Sequence, residues 1–359
     1  MLSLRELFSQ QSAPILGLDI SSTSIKLVEL GRNSTGQLVL QRCAIEPLAQ
    51  GWVVAGNIEK FEEVAQSLRR LIEKSGSKTK SVAMALPSSA VITKRILISA
   101  DLTEQELEFQ VESEAGQYIP FPLEEVRLDF CVVGPSQTSS GDLDVLIAAS
   151  RRERVQDLQG LAEAAGLKPV IVDIEAYAAR LATQRLIGML PNQGGGMVVA
   201  LFEFGALTSS LQVICDEEVL YERDLTFGGH QLTEMIMNQY GLLAEEAESR
   251  KCSADLPDDY KDLVLLPFVD MLAQEIERAL KFFFTTTTHQ SVDYVMLAGG
   301  TSALAGLAEA VMDQTNFSCR VLNPFEGMEI AGGVPLKWMT REAPSYVISC
   351  GLALRRFQP

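Results

Sequence analysis

Two stretches of this chain follow one pattern, and that repetition limits the fold more than any other feature. Residues 15–45 read "ILGLDISSTSIKLVELGRNSTGQLVLQRCAI". Residues 198–225 read "VVALFEFGALTSSLQVICDEEVLYERDL". Each is an apolar strand, a turn of small residues, a second strand, a polar turn and a third strand. Each carries one carboxylate, Asp19 or Glu203, just before its first turn. A helical, apolar-periodic stretch follows each of them in the sequence. The repetition predicts a duplicated α/β unit, with each copy pairing its own strands and covering them with its own helices.

The 359 residues are too many for one small domain, and 47% hydrophobic content is enough for more than one core. A net charge of −17 argues against nucleic acid and against direct binding to an anionic membrane, since both call for a basic surface. The six cysteines (43, 131, 215, 252, 319 and 350) are scattered and contain no CxxC pair, so they read as core thiols of a cytoplasmic protein. His230 and His289 lack ligand spacing to Cys or Asp, which speaks against zinc. The N-terminal tail, residues 1–11, has no sustained apolar core of a leader peptide. Its Leu2, Leu4 and Phe8 make at most a short apolar patch. No later run reaches the length of a membrane span.

Between the two repeats the texture changes. Residues 58–75 carry Phe61, Val64, Leu68, Leu71 and Ile72 at helical spacing, and "SVAMALP" (81–87) reads as a buried strand. "VITKRILIS" alternates as a strand. "LTEQELEFQVESEAGQYI" is an acidic helix whose Thr103 and Glu106 form a capping-box pattern. Two more strands follow, so residues 88–155 read as an inserted α+β subdomain. A helix over 152–165 and a buried strand running into a helix, "KPVIVDIEAYAARLA", lead back to the main fold. The expected division is a first lobe of 12–87, 156–195 and the C-terminal helix 344–359, the insert 88–155, and a second lobe of 196–343.

The turns carry the candidate chemistry. The first offers Asp19, Ser21, Ser22, Thr23 and Ser24, with Lys26 on the following strand. The second offers Glu203, Gly205, Ala206 and Ser209. A third, "LAGGTS", offers Gly299, Gly300 and Thr301. Consecutive backbone N–H groups and hydroxyls in such turns suit phosphates. A carboxylate nearby suits the water shell of Mg²⁺. A glycine turn lets a ligand approach the backbone. Each turn alone is a common loop; three of them in this order on a duplicated scaffold point to a nucleotide.

In that order the motifs resemble the actin–hexokinase–Hsp70 superfamily. More narrowly, the chain is similar to the PilM family of type IV pilus assembly proteins, itself similar to the division protein FtsA. The segments "LGLDISSTSIKLVEL", "EAGQYIPFPLEEVRLDF", "FGGHQLTEMI", "GLLAEEAESRK", "LPDDY", "DYVMLAGGTSAL" and "CGLALR" carry the likeness over nearly the whole chain. The resemblance implies a two-lobed, ribonuclease H-like actin fold with an FtsA-type insert. It implies ATP or ADP with Mg²⁺, Asp19 facing the metal through water. Ser21 to Ser24 and Lys26 would hold the β- and γ-phosphates. Glu203, Gly205, Ala206 and Ser209 would lie on the opposite side, Gly299, Gly300 and Thr301 at the adenosine, and Glu248 and Lys251 near ribose and base. It also implies an adaptor at the inner membrane that binds the cytoplasmic N-terminal tail of PilN, alongside other pilus assembly and motor proteins or further copies of itself. Within "YIPFPLEE", Tyr118, Ile119, Phe121 and Leu123 are candidates for the partner groove; the same residues would equally pack a subdomain core.

One departure stands out. Where the family has Asp-Ile-Gly in its second phosphate turn, this chain has Glu203-Phe204-Gly205. A longer carboxylate and a bulky ring at the turn point to ATP hydrolysis that is slow or absent. No general base stands out; Glu175 is a candidate water-orienting group and equally a structural one, and Asp173 is either a base or a strand-end residue. The alternative function is a small-molecule kinase of the same superfamily, which would need a catalytic aspartate that the sequence does not offer.

Overall fold

The computed structural model describes residues 13–216, 218–334 and 341–358; the N-terminal tail singled out above lies outside the described residues. The first repeat forms β1 (Leu16–Ile20), β2 (Ser24–Arg32) and β3 (Leu38–Pro47). The short strands β4 (Val53–Val54) and β5 (Asn57–Ile58) lead into α1 (Phe61–Ser75) and β6 (Ser81–Leu86). The insert holds β7 (Val91–Ser99), α2 (Glu104–Ala115), β8 (Val126–Pro135) and β9 (Asp142–Arg151). Then come α3 (Arg152–Ala164), β10 (Lys168–Ile174) and α4 (Glu175–Ile187). The second repeat forms β11 (Val199–Phe204), β12 (Ser209–Cys215) and β13 (Glu218–Leu225). After it run α5 (His230–Tyr240), α6 (Ala244–Ser253), α7 (Leu266–Thr286), β14 (Tyr294–Ala298) and α8 (Leu307–Thr315). The chain ends with β15 (Ser318–Val321), β16 (Glu329–Ile330) and α9 (Val347–Leu354).

Two compact units emerge. One contains the chain through Asp19, Lys26–Ala44 and everything from Ala176 onward. Its second-repeat sheet has the order β13-β12-β11-β14-β15, with β11 antiparallel to β12 and parallel to β14. Along β11 the side chains alternate, as a pleated strand requires. Phe202 and Phe204 point into a core shared with Phe268, Leu272, Ile276 and Phe283 of α7. In the first repeat, β16 extends β3 in parallel through Glu329 opposite Val39 and Ile330 opposite Leu40. Strand β2 is buried along eight successive residues. A strand covered on both faces has no solvent side for its charges, so Lys26 and Glu29 need partners: the buried Asp19 for Lys26, and the exposed Arg42, reaching in from β3, for Glu29.

The C-terminal helix α9 is buried throughout, and it fits because two glycines let backbones meet. A Cβ on Gly17 of β1 would stand 1.9 Å from the Ser349 carbonyl oxygen. One on Gly351 would stand 1.8 Å from the Ala178 carbonyl oxygen of α4. Both distances lie far inside van der Waals contact, and backbone cannot step aside as a flexible side chain can.

The other unit contains Ile20–Ile25 and Ile45–Glu175. Strand β6 pairs in parallel with β10. That strand is half-exposed along most of its length, not buried as its apolar composition suggested. The insert is a three-stranded antiparallel sheet, β7-β9-β8. Val111 and Ala115 of α2 pack in one core with Ile96, Ile98, Val145 and Ile147 of the sheet. The capping box is present: the Thr103 hydroxyl accepts the Glu106 N–H, and Glu106 accepts the Thr103 N–H at 2.9 Å. Its sheet and helix run from Val91 to Arg151. The compact units divide the chain differently from the expected lobes: β1 joins the residues beyond 176, held there by its contact with α9. The cysteines are less uniform than expected, with Cys350 buried but Cys131 and Cys252 exposed.

The crossing of α4 and α9 generates a prediction. Gly351→Ala should cost at least about 2 kcal/mol, because overpacking here meets backbone. Gly332→Ala, where an added Cβ meets nothing within 4 Å, should stay within about ±0.5 kcal/mol. Chemical denaturation of both variants checks the contrast.

Candidate functional site

The two meanders place their carboxylates at matching positions. Asp19 is the penultimate residue of β1 and Glu203 of β11. Ser24 opens β2 as Ser209 opens β12. Asp19 is buried and receives a 2.9 Å hydrogen bond from Lys26 Nζ, itself buried in β2. Glu203 faces away from the phenylalanine core and lies within electrostatic reach of both. Burial first, and then the charge of Asp19, push its carboxyl up to about 7, while Lys26 pulls the other way. Three ionisable side chains are thus gathered in one place, two acids and one base, with Asp19 and Lys26 buried and Glu203 partly exposed.

Phe204 does not crowd the turn, contrary to the expectation from its size. Its ring lies between Phe202 at 6.2 Å and Phe227 at 6.1 Å, on the core side of the strand. The alternation Phe202-Glu203-Phe204 already implied this face.

Behind Glu203 the turn is locked by main-chain bonds. Gly205 N–H donates to the Thr208 carbonyl at 3.0 Å. Gly229 and His230, at the start of α5, donate to the Gly205 and Ala206 carbonyls at 3.0 and 2.8 Å. The Ser209 hydroxyl donates to the Phe227 carbonyl at 2.7 Å, so it also ties the turn to the segment before α5. These approaches need glycine. A Cβ on Gly228 would stand 2.5 Å from the Ala206 carbonyl oxygen, and one on Gly229 would stand 2.6 Å from Thr301 Oγ1. Gly299 has φ +85°, and a Cβ there would stand 2.2 Å from the Phe204 carbonyl oxygen. Its carbonyl accepts the Ser302 hydroxyl at 2.7 Å. Gly300 is open, with nothing within 4 Å of its Cβ position. The second phosphate turn, the α5 start and the 299–301 turn are therefore one interlocked floor.

Helix α6 completes it. Lys251 Nζ lies 2.8 Å from Thr233 Oγ1, 2.6 Å from Glu248 and 3.4 Å from the Gly229 carbonyl. The Thr233 hydroxyl donates to Glu248 at 2.5 Å. Burial pushes the Glu248 carboxyl up, but the Lys251 ammonium and hydrogen bonds from Lys251, Thr233 and Cys252 outweigh it and hold the group below its usual value. Sequence reasoning found Glu248 and Lys251 but not Thr233, Gly228 or Gly229. Their signal was the "GG" before a helix and a threonine one turn into it.

The Ser21–Ser24 turn belongs to the other unit and is fixed by its own bonds. The Ser21 N–H and hydroxyl both donate to the Ser24 carbonyl at 3.0 Å, and Leu48 N–H donates to the Thr23 carbonyl at 2.8 Å. Ser22 and the Thr23 side chain take no part in these bonds.

The same unit contains a cavity of about 280 Å³. Its walls come from the β4–β5 hairpin (Val53, Asn57), from Pro87 after β6, and from Arg151, Arg154 and Asp157 at the start of α3. Asn57 Oδ1 is buried and accepts no hydrogen bond. A buried acceptor without a donor is costly, and this oxygen is closed off within the wall of the cavity. Arg151 also lies over the Phe121 ring at 4.1 Å, and Lys94 over Tyr118 at 5.4 Å. Of the four residues proposed for a partner, Tyr118 and Leu123 are exposed, Phe121 is half-buried beneath Arg151, and Ile119 is buried in the insert's core. Among the described residues no helix is long and apolar enough to cross a membrane.

Glu203 sets a pH dependence. The folded chain holds this proton more tightly than the unfolded chain, whose carboxyl titrates near the ordinary 4.5. Stability therefore falls as pH rises from about 4.5 to about 7 and is flat above. Glu203→Gln cannot ionise, so its melting temperature should gain on the parent between pH 5 and pH 8. A gap that does not change with pH would show the carboxyl ionised throughout.

The geometry agrees with known relatives. Over 28% identity, 97% of this chain and 100% of the other superpose on a structure described as the PilM-PilN type IV pilus biogenesis complex, with a TM-score of 0.80. The ethanolamine utilization protein EutJ from Carboxydothermus hydrogenoformans shares the fold at 17% identity and a TM-score of 0.58, over 98% of this chain and 95% of that one. The cell division protein FtsA of Helicobacter pylori is 24% identical over 216 residues, 52% of this chain and 42% of that protein, so the alignment spans less than half of FtsA. The fold is thus the actin-like α/β fold with an insert. Residues 17–357 match the family described as type IV pilus assembly protein PilM, and the chain belongs to that family.

Proposed function

We propose that the protein is an actin-like adaptor that carries ATP or ADP and holds the cytoplasmic N-terminal tail of a PilN-type inner-membrane protein. The observation that carries this reading is the family match over nearly the whole chain, together with the likeness to a relative solved as a PilM-PilN complex. Attachment to the membrane then runs through the partner, in keeping with a net charge of −17.

The tail occupies the cavity beside the β4–β5 hairpin. Val53 and Pro87 offer apolar walls, and Asn57, Arg151, Arg154 and Asp157 polar ones. Arg151, shared between this cavity and Phe121, links it to the exposed Tyr118 and Leu123. An extended peptide suits such a groove. Ile119 supports the site from within the core.

The nucleotide lies on the interlocked floor. Gly299, Gly300 and Thr301 border the adenosine, with Glu248 and Lys251 toward ribose and base. Gly205, Ala206 and Ser209 shape one phosphate turn, and Ser21 to Ser24 with Lys26 supply the other. Mg²⁺ is commonly held by one or two carboxylates together with phosphate oxygens; Asp19 would meet it through water. No general base is evident in the sequence, and phosphate near Glu203 would favour the protonated form of its carboxyl, so phosphate release should fall below about 1 s⁻¹, the low end of ordinary turnover.

Two calorimetric titrations test the reading. Asp19→Ala and Lys26→Ala should each weaken ATP binding at least about tenfold, or 1.4 kcal/mol; unchanged affinity in both would remove the phosphate assignment. Asn57→Leu should weaken the PilN-type tail peptide by a similar factor and leave ATP binding alone. A tail that binds Asn57→Leu as well as the parent must lie elsewhere.

A further inference from the structure

Helix α7 begins unusually. It is entered through a π-turn, Lys261–Leu265, a feature often found where a helix serves a function. Val264, Phe268, Val269 and Leu272 face the core. The opposite face should be polar, and further along it is: Asp270, Gln274, Glu277, Arg278 and Lys281. At its start, however, it carries Leu263 and Leu266, which are 49% and 40% exposed. Leu243, just before α6, is 77% exposed, more than any other large hydrophobic side chain among the described residues. The Tyr240 hydroxyl, three residues before Leu243, donates to Asp259, four residues before Leu263, at 2.9 Å. That bond brings the end of α5 to the start of α7, so the leucines belong to one region of the surface.

Carboxylates frame these leucines. Asp258, Asp262 and Asp270 are exposed and have no ion pair among the described residues. Of the nearby bases, Arg250 pairs with Glu246 and Lys251 with Glu248, while Lys261 is exposed and has no ion pair among the described residues. Apolar anchors one helical turn apart, within a rim where carboxylates outnumber this one free base, complement a particular shape and charge.

We propose that the start of α7 and the α5–α6 loop form a docking surface for a basic amphipathic helix of another protein, with its leucine-type residues on Leu243, Leu263 and Leu266 and its lysines or arginines toward Asp258, Asp262 and Asp270. Charge complementarity selects this occupant. A second copy of this chain, at −17, would bring like charge to an acidic rim. Helix-in-groove recognition reads such anchors at i and i+3 or i+4. The surface lies in the same compact unit as the nucleotide floor and is separate from the β4–β5 cavity.

The test uses the full chain and a synthetic helical peptide of leucine and lysine, about 15 residues long so that it holds a helix. Its leucines lie on one face, and a scrambled peptide of equal composition is the control. Binding is read by hydrogen–deuterium exchange and by titration at about 0.15 M salt, where long-range attraction is screened. Protection should be confined to residues 240–247 and 258–270 and absent with the scrambled peptide. Leu263→Ser with Leu266→Ser, and separately Asp258→Asn with Asp262→Asn, should each weaken binding at least tenfold while melting stays unchanged. Equal binding of both peptides, protection spread over the surface, or indifference to the leucine pair would overturn the proposal. So would protection of this segment that rises with protein concentration in the absence of peptide, since a second copy would then be its occupant.

Discussion

A lysine ammonium buried in a sheet is costly unless a carboxylate meets it at hydrogen-bond distance, and Lys26 meets Asp19 at 2.9 Å. Much of the candidate site depends on that pair. It holds both ends of the first turn at their strands, one residue from β1 and one from β2. It also settles what Glu203 experiences. With Asp19 already paired, Glu203 enters as a second acid beside a single ammonium. Removing either member of the ion pair would leave an uncompensated charge there, which costs far more than the pair contributes. The site is therefore an electrostatic balance before any ligand arrives, and an anionic ligand must compete with Asp19 for Lys26.

Glycines supply the mechanical counterpart. Gly228, Gly229 and Gly299 let three backbone segments touch at distances no side chain permits. Gly17 and Gly351 do the same for α9. Contacts of main chain on main chain have little freedom to relax, so the floor is held to a narrow range of positions by parts with few rotatable bonds. Preorganisation of this kind lowers the ordering cost of binding. It also explains why the floor can be built from residues that are chemically plain: geometry is fixed by absent Cβ atoms, and the polar contribution comes from Thr233, Glu248 and Lys251.

What was legible in the sequence was mostly local or periodic. The repeated strand–turn–strand grammar marked both meanders, because each is paired within itself. Thr103 and Glu106 marked the start of α2, because a capping box is contained in four residues. The misreadings were of facing and of distant contact. Phe204 was weighed by bulk, although period two placed it with Phe202 and away from the turn. Ile119 and Tyr118 look alike in the string; only packing separates a core residue from a surface one. Asn57 has no sequence mark, since its meaning depends on the lack of a partner.

The position of Glu203 bears on how an actin-like fold can serve as an adaptor. Hydrolysis needs a water oriented in line and a group able to accept its proton. A carboxyl whose titration is centred near neutrality could accept it, but the approach of phosphate, another negative charge, favours its protonated form. On the reading proposed above, the same residue would then donate toward a phosphate oxygen instead of acting as a base toward water. A site of that kind stabilises bound nucleotide more than it stabilises the transfer of its terminal phosphate. Nucleotide in such a protein shifts the population of conformations by its differential affinity for them, and it can do so for as long as it stays bound, which is what a scaffold requires and a motor does not.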